Sequence, residues 1–182
     1  MKLNLGSGGR KLDGYVNVDL QPEETPDVVC NIGRDRWPFD DNSVDEAEAS
    51  HIMEHLSTPE LMHFMRELYR VCKHGAEIKI TLPHPRHDIY LNDPTHQTPI
   101  LPATLLMFSR GQLEALRKQG KQLTPFWKYT GVDFKLDSMV KWRFSEGVDP
   151  DDKDISWKMT HLNNIIQEFS CTIRAVKATD AV

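Results

Sequence analysis

Residues 51–55 read His-Ile-Met-Glu-His. Two imidazoles and a carboxylate this close together are donors that a divalent metal accepts, and His-x-x-Glu-His is the spacing of one class of zinc peptidases. Such a centre needs both histidines on one helical face and a third ligand. A second group lies upstream. Gly6-Ser7-Gly8 can turn tightly, bring backbone close to a ligand and point its amides outward. Asp19 follows, where a carboxylate can accept hydrogen bonds from both hydroxyls of a ribose. The dinucleotide fingerprint expects that acid roughly 20 residues on, with a full helix between. Arg10 to Gly14 holds barely one turn and the third spaced glycine is missing, which disfavours NAD. His84, His87 and His96 add three more imidazoles, each of which has an ordinary reading as a surface residue on a loop.

The elements that must position these residues can be read from periodicity. Leu3 to Leu5 is a short strand ending at the glycine turn, and Tyr15 to Asp19 alternates as a second strand. Asp27 to Ile32 is a third, with β-branched residues at its centre. Val44 to Ser50 is a fourth, in which Glu46 and Glu48 are unusual for a buried strand. Ser57-Thr58-Pro59-Glu60 starts a helix, with a capping hydroxyl, a proline in the first turn and an acid behind it. Leu61, Phe64, Met65, Leu68 and Cys72 mark its apolar face, and His74-Gly75 is expected to close it with a left-handed glycine. Ala76 to Leu82 is a fifth strand, stopped by Pro83, and Ser109 to Gln119 a further helix. Two late strands are expected around residues 132–144 and 169–176. This order predicts an α/β domain on a mainly parallel sheet, whose ligands bind beyond the carboxyl ends of the strands. The glycine turn, Asp19, Asn31, the 51–55 segment and the 83–88 segment are then expected to converge on one edge.

The 182 residues favour one domain, residues 1–182, with room for a proper core. A net charge of −5 argues against a nucleic-acid partner, which usually meets a basic face. No cleavable signal peptide is expected before Lys2-Leu3-Asn4-Leu5, and no run is long and apolar enough to span a membrane. Cys30, Cys72 and Cys171 are few and far apart, which points to a reducing cytoplasm and away from a disulfide frame or a cysteine-based zinc site.

The opening LNLGSGGRKLDGYVNVDL resembles that of the class I S-adenosylmethionine-dependent methyltransferases, and more narrowly the type 11-like branch that shortens the first helix to a loop. RWPFDDNSVDEAEASHIMEHL, residues 36–56, resembles a further signature of that superfamily, and the helix, His74-Gly75-Ala76 and ITLP resemble its helix–glycine–strand element. The match covers about residues 2–84; the second half agrees only in element order. Val44 stands where the signature has Phe, and Ser7 where it has Cys or a small residue.

The resemblance implies a Rossmann-like fold: a mainly parallel seven-stranded sheet with helices on both faces and the last strand antiparallel. It implies S-adenosyl-L-methionine as cofactor, held by a first half, residues 1–83, beside a substrate-side half, residues 84–182. Leu5, Gly6, Ser7 and Gly8 would lie against its methionine part, Asp19 on the ribose, Leu20 against the adenine, and Asn31 and Ile32 where the adenine amine is read. Ser50 and His51 would close over the methionine moiety. The implied activity is methyl transfer to an oxygen or nitrogen of a small or medium-sized acceptor. Alignment does most of the work there, and an imidazole can remove the proton; His55, His84 and His96 are the candidates. No metal is assigned. A metal-dependent hydrolase using His51, Glu54 and His55, and a non-catalytic binder of the same cofactor, stay open as alternatives. The oligomeric state is not fixed.

Overall fold

Short alternating runs form the first four strands, β1 (Lys2–Leu5), β2 (Val16–Asp19), β3 (Val28–Val29) and β4 (Val44–Ser50). The computed structural model describes residues 1–178. It continues with helix α1 (Thr58–Val71), β5 (Cys72–Pro83) and four helices: α2 (Asp88–Leu91), α3 (Pro102–Leu106), α4 (Arg110–Lys118) and α5 (Phe126–Thr130). Strands β6 (Phe134–Leu136) and β7 (Lys141–Phe144), helix α6 (Ile155–His161) and β8 (Ile166–Ala175) complete it. The sheet has eight strands in the order β3-β2-β1-β4-β5-β8-β6, with β7 also paired to β8. The expected count of seven falls short because the stretch 132–144 splits into two strands. β1 to β5 pair in parallel, and β8 runs antiparallel to β5, β6 and β7, as expected of the last strand.

Aligned register gathers Leu3, Leu5, Ala47, Ala49, Ile78, Ile80, Cys171 and Ile173 on one face, all buried. Leu61, Phe64, Met65 and Leu68 of α1 join that core. α1 stops earlier than predicted, because Cys72 already has extended backbone (φ −70°, ψ 141°). Gly75 does take a left-handed φ of +77°, but inside β5 rather than as a helix cap. There the register against β4 shifts, from Val44 opposite Cys72 to Glu46 opposite Glu77.

The other face is polar. Asn4 Nδ2 donates to Asn17 Oδ1 at 2.9 Å and to the Arg10 carbonyl at 2.8 Å, and the Leu12 N–H donates to Asn17 Oδ1 at 2.9 Å. Two buried asparagines therefore fasten the loop that replaces a first helix. Glu46 accepts from Lys2 at 2.8 Å, Lys79 at 2.6 Å and the Tyr15 hydroxyl at 2.5 Å, and Glu48 pairs with Arg10 at 2.9 Å. A helix needs an apolar stripe to pack on, and this face offers amides and charge pairs, so the covering expected on both faces is uneven. The two glutamates that looked out of place in β4 belong to a strand buried on one side only.

Hydrogen bonds from Lys2, Lys79 and Tyr15 pull the Glu46 carboxyl down to about 2. A carboxyl whose pKa falls on folding adds stability that is complete above its ordinary value of 4.5 and lost as pH drops towards 2. Glu46→Gln is therefore expected to lower the urea midpoint at pH 7, with the gap to the parent closing between pH 5 and about 2. A gap that stays constant with pH would show that the ion cluster is not its origin.

All three cysteines are buried and unpaired, and burial pushes their thiols up, to about 11 for Cys30 and about 12 for Cys72 and Cys171. No helix among the described residues is long and apolar enough to cross a membrane.

Candidate active site

After β1 the chain turns through Gly6 (φ +66°) and Gly8 (φ +47°). The N–H groups of Gly6 and Ser7 donate to the Val18 carbonyl at 2.9 and 3.0 Å, and the Gly8 N–H donates to an Asp19 carboxylate oxygen at 2.7 Å. The other Asp19 oxygen accepts from the Gln21 N–H at 2.9 Å. Each oxygen keeps a lone pair for a further donor. A Cβ on Gly6 would stand 2.5 Å from Ile52 Cγ1, so the turn and Ile52 can approach this closely only because Gly6 has no side chain.

Opposite lies the 51–55 segment. β4 ends at Ser50, and His51 enters the left-handed region with φ +53°, its N–H donating to the Thr81 carbonyl at 2.9 Å. For a non-glycine residue that conformation costs on the order of 1–2 kcal/mol. The ring sits between Glu168 (Nε2 to Oε2, 3.1 Å) and Glu54 (Nδ1 to Oε1, 3.6 Å), and these carboxylates hold its pKa above the ordinary imidazole value against burial. Met53–His55 is a single 3-10 turn with Met53 and Glu54 buried. The two histidines of the opening motif therefore do not share a helical face, as a zinc-peptidase helix requires.

A later segment is strapped onto this turn. The Glu54 carbonyl accepts from the N–H groups of Gln97 (2.8 Å) and Thr98 (3.1 Å), the Gln97 side chain donates to the His55 carbonyl (2.8 Å), and the Thr98 hydroxyl donates to the Leu56 carbonyl (2.6 Å). The strap brings the His96 ring to 4.7 Å from that of His55. Between the glycine turn and this turn runs a cleft of about 720 Å³, within the range of small-molecule sites.

Of the residues assigned to the cofactor, Gly6, Gly8, Asp19, Leu20, Asn31, Ile32 and His51 line the cleft. Leu5 is fully buried in the core, Ser7 is buried with its hydroxyl unpartnered, and Ser50 lies outside the lining. Asn31 Oδ1 accepts from the Gly33 N–H at 3.1 Å, which fixes the amide. Of the three imidazoles proposed to take a proton, His55 lines the cleft and His96 stands against it. His84 does not line it. Its Nδ1 accepts from the Arg86 N–H at 3.3 Å, its ring faces Trp142, and burial lowers its pKa. The 83–88 segment thus does not join the other four in the cleft. Thr95 also lines it, on the turn-like stretch 92–96 that is legible in the sequence as a lid over the pocket. Sequence reasoning missed Ile52 and Gln97: Ile52 had a signal in its place beside His51, and Gln97 had none, because it arrives through the strap. A separate cleft on the polar sheet face, between Glu48, Lys79 and Asp137, lies away from the strand ends.

The chain is similar in structure to a SAM-dependent methyltransferase from Archaeoglobus fulgidus, at 19% identity and a TM-score of 0.65 over 95% of this chain and 85% of that one. A SAM-dependent methyltransferase from Methanosarcina mazei gives 18%, 0.56, 96% and 92%, and one from Mesorhizobium loti 14%, 0.52, 95% and 89%. No curated protein matches the sequence. These likenesses give the fold. Residues 13–80 match the family described as a methyltransferase domain. The three structures named are SAM-dependent, and S-adenosyl-L-methionine, when bound, supplies an electrophilic methyl group on a sulfonium sulfur. The residues of this cleft fit that group. Gly6 presents backbone with no Cβ, Gly8 has nothing within 4 Å of where a Cβ would be, and the Asp19 carboxylate stands at the same edge.

Proposed function

We propose that this protein is an S-adenosylmethionine-dependent methyltransferase acting on an oxygen or nitrogen of a small or medium-sized acceptor, with Asp19 binding the ribose hydroxyls of the cofactor, Gly6 and Gly8 its methionine part, and His55 taking the acceptor's proton. The observation that carries this reading is the cleft running from Asp19 and the glycine turn to His55. His55 Nδ1 lies 2.9 Å from Thr95 Oγ1, whose proton goes to Asp93 at 2.6 Å. Nδ1 is therefore the donor of the ring, and Nε2 is left bare as a proton acceptor. Asp19, held by two backbone N–H groups, needs no reorganisation to receive a diol. The acidic total charge and the three reduced cysteines favour a small-molecule acceptor and a cytoplasmic setting over a nucleic acid and an oxidising one.

Calorimetric titration with S-adenosylhomocysteine tests the first part, and its release across an acceptor panel tests the second. His55→Ala is expected to leave the affinity for S-adenosylhomocysteine within a few-fold and to cut methyl transfer by roughly 100- to 10,000-fold. No binding at millimolar ligand would overturn the reading, and an unchanged rate in the variant would remove His55 from it.

A further inference from the structure

Glu54 is 1% exposed, and neither of its carboxylate oxygens has a hydrogen-bond partner. The nearest imidazole nitrogen, His51 Nδ1, stands 3.6 Å away, beyond hydrogen-bond reach. A buried carboxylate left bare is costly, and native structures pair it with a cation or a metal. Among the described residues, the imidazoles of His55 and His96 are placed to share such an ion, with Asp93 Oδ2 3.8 Å from His96 Nε2 at its margin. One ligand atom each from Glu54, His55 and His96 lie within 4.8 Å of one another.

The surroundings fix both rings for the same task. His96 Nδ1 faces the Tyr90 carbonyl at 2.7 Å, so it carries the proton and Nε2 is bare, 4.0 Å from Glu54 Oε1. His55 is held likewise through Thr95 and Asp93. A carboxylate or carbonyl taking the far N–H of an imidazole is the arrangement that orients metal-bound histidines. Ligands about 2.1 Å from a tetrahedral ion stand roughly 3.4 Å apart, so closure asks only small side-chain rotations.

We propose that Glu54, His55 and His96 bind one divalent transition-metal ion of the zinc(II) class, next to the cofactor cleft. Two imidazoles and one carboxylate suit a borderline ion rather than magnesium, which prefers oxygen ligands. Three protein ligands leave a fourth position, and His55, which lines the cleft, directs it there. Its use rests on the methyl-transfer reading above. An acceptor hydroxyl bound at the open position would lose its proton to water more easily, and with the ion bound this would replace proton acceptance by His55 Nε2, a role that nitrogen would keep only in the metal-free protein.

Untagged protein, stripped with chelator, would be titrated with zinc(II), manganese(II) and magnesium(II) separately, in competition with a metal indicator. One equivalent of zinc is expected to bind. Glu54→Gln and His96→Ala are each expected to weaken it at least about 100-fold, and Thr95→Val about 10-fold by releasing the His55 ring. Affinity for S-adenosylhomocysteine should stay within a few-fold in Glu54→Gln and His96→Ala, neither of which lines the cleft, and this shows the cleft intact. In the metal-free state Glu54→Gln should unfold no more easily than the parent, since it removes a buried charge that no hydrogen bond satisfies. The proposal is overturned if zinc binds the variants as tightly as the parent, if it binds the parent only at millimolar concentration, or if only magnesium binds. Methyl transfer that survives chelation would refute the ion's role but leave the cofactor reading standing.

Discussion

Asp19→Ala is expected to weaken binding of S-adenosylhomocysteine by at least about 100-fold. The carboxylate is fixed by the N–H groups of Gly8 at 2.7 Å and Gln21 at 2.9 Å and lines the cleft. Two hydrogen bonds from a diol to a charged acceptor are worth roughly 1.5–3 kcal/mol each, and about 2.7 kcal/mol is already a factor of 100. Removal also frees the Gly8 N–H, so the glycine turn loses its brace. Asp19→Asn keeps the shape and one acceptor oxygen but loses the charge, and should fall between the two. Isothermal titration of the three proteins checks this, and an affinity within threefold of the parent in Asp19→Ala would take the ribose away from this residue.

The largest effect on stability is expected at Glu67. Its carboxylate is nearly buried and accepts from Arg70 Nε at 2.9 Å, Arg70 Nη2 at 2.7 Å and the Trp37 N–H at 2.8 Å. Burial alone would raise its pKa, yet these donors hold it below the ordinary value. Arg70 spends its remaining donors on the carbonyls of Trp37 and Phe39 and on Asp41. The pair thus pins the loop 37–41 to α1, over the buried Trp37 ring that meets Phe64 edge-on at 5.4 Å. Removing Glu67 leaves the Arg70 guanidinium with only the exposed Asp41 as counter-charge and the Trp37 N–H without its acceptor, at a cost of about 3–5 kcal/mol. Glu67→Ala should accordingly lower Tm by roughly 10 °C or more in a chain of this size. Arg70→Lys should rescue little, because an ammonium cannot serve the carboxylate and two carbonyls at once. A Tm shift under about 2 °C for Glu67→Ala would show that the loop is held by apolar packing alone.

The parallel half of the sheet was legible in the sequence because its signals are local. Alternation marked β1, β2 and β4, and Ser57 with Glu60 marked the start of α1, where the Glu60 carboxylate accepts from the Ser57 N–H at 2.9 Å and its hydroxyl at 2.5 Å. The third strand shrank to Val28–Val29 because the Cys30 N–H makes the last bond to β2, at the Asp19 carbonyl, and Asn31 then turns into the cleft wall. Gly75 showed the right conformation for a cap, but the pull of strand pairing from Cys72 onwards decided its place. On the site side, the glycine turn, Asp19 and Asn31 were found from their positions after strands. The neighbourhood of His96 was not, since it depends on hydrogen bonds between segments about forty residues apart, for which a single sequence carries no pattern. His84 misled for the matching reason: it follows β5 as expected but turns under Trp142.

β8 comes after every strand it pairs with, yet it lies inside the sheet, bonded to β5 on one side and to β6 and β7 on the other. During synthesis the parallel strands can therefore emerge and meet, but β5 keeps an open edge until residues 166–175 have left the ribosome. The boundary near residue 83 between the parallel strands and the later segments is therefore not a boundary in folding. Sheet closure must be a late, long-range event, and the interval before it is when the chain is most exposed to edge-to-edge association and most in need of a chaperone.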